Sequence, residues 1–138
     1  MARWKKVAIV GNSMAPHLIE GDWLLFSYWH EGLLAKVIGA EGLAGLAAHG
    51  KIPQKYHHRI EKKARALEGR VVLLERTAQP GLLQVKRVTR ILQSTTGEFV
   101  LWVEGDNKTA STDSRTWGAV SMAEIHGLAK FKYWRSRA

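Results

Sequence analysis

The stretch from residue 83 to residue 103 constrains the fold more than any other. Residues 83–92 alternate apolar and polar side chains, Thr95-Thr96-Gly97 interrupts them, and 99–103 turns apolar again. That is the pattern of two antiparallel strands joined by a short turn. Further short apolar runs at 7–10, 23–26, 71–74 and 125–131 are separated by turn formers such as Pro80-Gly81 and Gly105-Asp106-Asn107. Such a chain is expected to be mostly β, an antiparallel coiled, barrel-like sheet. With 138 residues, 46% of them hydrophobic, residues 1–138 suffice for one domain with a core and not for two catalytic domains.

Residues 31–69 interrupt the strand pattern and read as a helical insertion. From Ile52, apolar or small positions recur at Tyr56, Ile60, Ala64 and Leu67, near helical spacing, with Pro53 at the start and Gly69 as a C-terminal cap. The outer face is basic, with Lys55, Arg59, Lys62 and Lys63 among its residues. A solvated face is the plainer account of it, and a docking surface for anionic lipid or substrate the alternative. The net charge of +9 favours anionic partners but does not bear on fold. The longest apolar candidate, 33–48, contains Lys36, Glu41 and three glycines, so no membrane span is expected. With a dozen residues ahead of Ser13, no signal sequence is expected there. A cytoplasmic protein is the expectation, with a peripheral membrane location as the alternative.

The chain has no cysteine, so disulfides, thiolate metal sites and a cysteine nucleophile are excluded. His57-His58, with His49 nearby, are adjacent on a helix and point in different directions, unlike a ligand pair. They read as exposed histidines, with no metal and no cofactor. Chemistry then falls to Ser, Lys and carboxylates. A serine hydroxyl is a weak nucleophile until a neighbouring base takes its proton, and a lysine is that base only when neutral. From an ordinary value of about 10.4, neutralising the amine at pH 7 costs about 4.6 kcal/mol. Burial lowers that cost. Lys86 sits between Val85 and Val88 in the alternating run, where one face of a strand can bury it.

Three segments, in order, carry a resemblance. They are Gly11-Asn12-Ser13-Met14-Ala15-Pro16 with Glu20-Gly21-Asp22; Val85-Lys86-Arg87-Val88; and Gly105-Asp106-Asn107 running to Ser111, Asp113, Ser114, Arg115, Trp117 and Gly118. Together they resemble the nucleophile, lysine and C-terminal boxes of the type I signal peptidase family. Within it, the Val-Lys-Arg-Val strand leading by a short hairpin to Gly-Asp-Asn, and the aromatic-basic tail from Phe131, are most similar to soluble members that mature nickel-type superoxide dismutase. The resemblance implies a serine endopeptidase acting on precursor proteins with an N-terminal leader, with no nucleic acid involved. It implies Ser13 as nucleophile, Lys86 as base and Ser111 as the residue that orients the amine. Asp113 and Arg115 become a structural ion pair, Asp106 and Asn107 turn formers, and Met14 and Pro16 the residues fixing the turn beside Ser13. The insertion at 31–69, and the expectation of no N-terminal span, depart from the family's membrane members. Gly11 stands where some relatives place a serine that helps the oxyanion, which leaves the second donor open.

Overall fold

The computed structural model describes residues 3–135. Seven strands form one antiparallel sheet: β1 (Arg3–Ala8), β2 (Trp23–Tyr28), β3 (Val71–Glu75), β4 (Leu83–Gln93), β5 (Phe99–Glu104), β6 (Val120–Ser121) and β7 (Ile125–Trp134). Their order is β1-β2-β7-β3-β4-β5-β6. The expected β-rich class holds, and the sheet is open, with β1 and β6 as its edges rather than a closed barrel. The hairpin expected around Gly97 is present, with Arg87 opposite Glu104 and Gln93 opposite Phe99.

The sheet buries side chains on both faces because its strands alternate. On one face Met14, Leu18, Leu24, Phe26 and Leu73 form a small core. On the other, Val72, Leu74, Val88, Leu101, Val103 and Ile125 form a larger one.

The insertion completes that larger core. It holds two helices, α1 (Leu33–His49) and α2 (His57–Ala66), linked through a 3-10 turn at Gln54–Tyr56. Leu33, Ile38, Tyr56, Ile60, Ala64 and Leu67 are all buried in the main cluster, so this segment is part of the domain's interior and not an external attachment. The helix expected from Ile52 is α2 with its preceding turn, and it ends before Gly69. Gly69 instead adopts φ 82° and donates its N–H to Val88 O at 2.7 Å. α1 falls within the expected helical insertion and forms although Gly39, Gly42 and Gly45 each weaken a helix by about 1 kcal/mol. Packing supplies the reason for two of these features. A Cβ at Gly45 would lie 2.6 Å from Pro53 Cγ, and Gly39 carries the kink at φ 68°.

Candidate active site

The turn bearing Ser13 is closed by backbone bonds between Ile9 N and Asp22 O (2.8 Å) and between Gly21 N and Ile9 O (3.0 Å). Met14 is 1% exposed and anchors the turn in the smaller core. This leaves the preceding Ser13 half-buried at the surface, with no side-chain hydrogen bond to its hydroxyl among the described residues. Pro16 follows at an exposed position.

Lys86 lies on β4 opposite Val72 and is 5% exposed. Burial pushes its ammonium below the ordinary lysine range; nearby Asp113 opposes that shift and Arg115 reinforces it. Lys86 Nζ donates to Ser111 Oγ at 2.9 Å, and Ser111 Oγ donates to Asp113 Oδ2 at 2.9 Å. Lys86 and Ser13 are not hydrogen-bonded to each other.

Asp113 organises the loop. It is fully buried and caps the short helix α3 (Ser114–Trp117). Its carboxylate accepts from Gly105 N at 2.9 Å and from Arg115 Nε and Nη2 at 2.9 and 3.0 Å. Burial alone would raise its pKa, but the Arg115 guanidinium, the Gly105 N–H and the Ser111 hydroxyl hold it well below the usual carboxylate range. The expected Asp113–Arg115 pair is therefore formed. Ser114, also buried, accepts the Val103 N–H at 2.9 Å and fixes the helix to β5.

The Ser13 turn is tied to the same loop. Asn107 N donates to Ser13 O at 2.8 Å, and Asn107 Nδ2 to Asn12 O at 3.0 Å. Beneath them Gly105 is buried, and a Cβ there would sit 2.5 Å from Ser111 Cβ and 2.6 Å from Ser13 O. The backbone of Ser13, the side chain of Ser111 and Gly105 thus converge on one point. Ser13 is linked through Asn107 and Gly105, and Lys86 through Ser111 and Asp113, to the same loop.

Other contacts went unread. Asp106 forms a bidentate pair with Arg87, Nε to Oδ1 and Nη2 to Oδ2 both at 2.9 Å, and His17 Nδ1 lies 3.0 Å from Oδ2. Alternation offered the signal: the neighbour of a lysine on one face of a strand must find its partner on the other. The role of Gly105 was signalled only by its place at the end of β5, where a glycine often marks close backbone approach. The histidines at 49, 57 and 58 are exposed, as expected.

The sequence profile described as "Signal peptidase, peptidase S26" matches residues 93–134. That stretch holds the loop from Gly105 to Gly118 but neither Ser13 nor Lys86. The chain is also 30% identical over 131 residues to mitochondrial inner membrane protease subunit 2 of Mus musculus, across 91% of this chain and 65% of that protein. Together these matches support the type I signal peptidase family. The chain spans 65% of the length of this curated relative. None of the helices described is long and apolar enough to cross a membrane.

Proposed function

We propose that the chain is a serine endopeptidase that removes an N-terminal leader from a precursor protein, with Ser13 as nucleophile and Lys86 as general base. The observation that carries the reading is the Lys86 amine. It is buried, shifted toward neutrality, and held by a hydroxyl whose own proton goes to Asp113. A neutral amine has two N–H groups and one lone pair. Because Ser111 donates to Asp113, it accepts one of those N–H groups and leaves the lone pair for the Ser13 hydroxyl.

Ser13 Oγ attacks the scissile carbonyl as its proton passes to Lys86 Nζ, and the ammonium then returns that proton to the leaving amine. The Ser13 backbone N–H is the donor for the developing oxyanion. Ser111 positions the amine, Asp113 and Arg115 brace Ser111, and Met14, Pro16, Asp106 and Asn107 hold the turn and loop in register. No metal or cofactor enters these steps.

For the substrate, we propose the precursor of a nickel-type superoxide dismutase, supported by the strand, hairpin and box resemblance described above. Co-expression with such a precursor, followed by N-terminal sequencing, is the test. A trimmed dismutase is expected, and an uncut one with Ser13→Ala. The likeness to an inner-membrane protease subunit favours a second reading, a membrane-associated signal peptidase for exported preproteins. The exposed Trp4, Phe131 and Trp134, next to Lys5, Lys6 and Lys132, would suit contact with an anionic bilayer. An uncut dismutase precursor, with cleavage of an exported preprotein and salt-resistant membrane association, would favour that reading over the first.

A further inference from the structure

β4 pairs with β3 from Leu83 to Arg87 but with β5 only from Arg87 onward. Over residues 83–86, one edge of β4 therefore carries no strand among the described residues, and such an edge accepts an extended peptide by main-chain pairing. Lys86 is on this free stretch. Gln84 precedes it by two residues, so both side chains leave the same face of the strand, about 7 Å apart.

Gln84 Nε2 is buried and has no hydrogen-bond partner, the one such side-chain atom among the described residues. Leaving a buried amide unpaired costs about as much as losing a hydrogen bond outright. A cost of that kind beside the reacting groups makes sense if the missing acceptor arrives with the substrate.

We infer that Gln84 reads the substrate. Its side-chain amide donates to an oxygen-bearing side chain, such as that of Asn or Ser, on the third residue before the scissile bond or the second after it. The inference rests on the Ser13–Lys86 reading, because that reading places the scissile carbonyl level with Lys86. An extended substrate running along β4 repeats its facing side chains at the strand's own spacing, which brings every second residue level with Gln84.

The test uses synthetic peptides that differ only at the third position before and the second after the cut, carrying Asn, Ser, Ala or Leu. The wild type is expected to prefer Asn or Ser over Leu at one of these positions by about tenfold in kcat/KM. In Gln84→Met, which keeps the length and loses the donor, that ratio should fall to near one. Gln84→Met should also melt at a higher temperature, since an unpaired buried amide has been removed. A flat wild-type profile, a preference that survives in Gln84→Met, or a lower melting temperature in that variant would each overturn the role of Gln84. If the wild type cuts none of the peptides while folded, the peptidase reading itself fails, and the role of Gln84 fails with it.

Discussion

Gly105→Ala tests whether the site is held by close approach. Gly105 does not have a left-handed φ, so alanine meets no backbone strain there. By restricting the unfolded chain it should even stabilise the protein, by about 0.4–1 kcal/mol. Sterics oppose this. The added methyl would lie 2.6 Å from Ser13 O and 2.5 Å from Ser111 Cβ, where unstrained carbon contacts need about 3.5–4 Å. Relief requires a shift of about 1 Å in the Ser13 turn, the Ser111 loop or both. Overpacking of this sort costs about 1–3 kcal/mol, so the steric loss exceeds the entropic gain. The variant should melt a few degrees lower while remaining folded.

The effect on rate should be larger than the effect on stability. A displacement of about 1 Å between reacting groups can cost about a hundredfold. The measurements are kcat/KM on a short peptide and thermal unfolding followed by circular dichroism. Gly105→Ala with wild-type kcat/KM would refute the reasoning, because the site would then not depend on Ser13 and Ser111 meeting at that point.

Ser13→Ala and Lys86→Met should each abolish cleavage, and the double variant should be no worse than either single one, since both act in one proton-transfer step. Residual activity above a few per cent in either folded variant would refute the assignment. Lys86 also carries a stability signature. With its folded pKa lowered, the unfolded state binds more protons between that value and about 10.4, so stability should rise with pH across this window. Chemical unfolding of the wild type against pH should show that slope, and Lys86→Met should flatten it.

Strand positions were legible because alternation and turn chemistry agree along most of the chain, as at Gly97 between β4 and β5. The boundaries were less so. The N-terminal strand runs Arg3–Ala8 rather than 7–10, and its pairing with β2 recruits Arg3, Lys5 and Lys6, which no local pattern marks as strand. β6 went unread because two residues, Val120 and Ser121, are too few to show a period. The insertion read as helical, but the bounds of α1 were not legible, because tertiary packing overrides the poor propensity of its glycines. Of the site, the residues proposed for the chemistry stand out by their boxes, whereas the supports depend on which face a side chain takes. Arg87 pairs with Asp106, one residue beyond the Gly105 that touches Ser13, and only the folded register of β4 on β5 brings the two together. Interior packing of the insertion was hidden for the same reason: Ile60 and Ala64 look like the apolar stripe of any amphipathic helix until β5 is seen beneath them.

A buried carboxylate beside a lysine that must be neutral needs its own explanation, and Arg115 provides it. On the proposed reading, Asp113 accepts the Ser111 hydrogen bond and so fixes which way the Ser111–Lys86 bond runs. Its negative charge, however, raises the Lys86 pKa, which would keep the base protonated and idle. Arg115 meets Asp113 with two guanidinium N–H groups, at 2.9 and 3.0 Å, and its own field lowers the Lys86 pKa. The carboxylate can then orient the hydroxyl while part of its effect on the amine is offset. Removing the cation with Arg115→Gln should therefore raise the Lys86 pKa and move the rising limb of the pH–rate profile toward alkaline pH. Asp113 itself should lose part of its protection against acid, so the stability it contributes above the ordinary carboxylate pKa would be lost at a higher pH as the solution is acidified. The two shifts are read separately, one in kcat/KM against pH and one in acid unfolding. A pH–rate profile that stays in place, or moves toward acid, would mean that Arg115 does not screen Asp113 from the base.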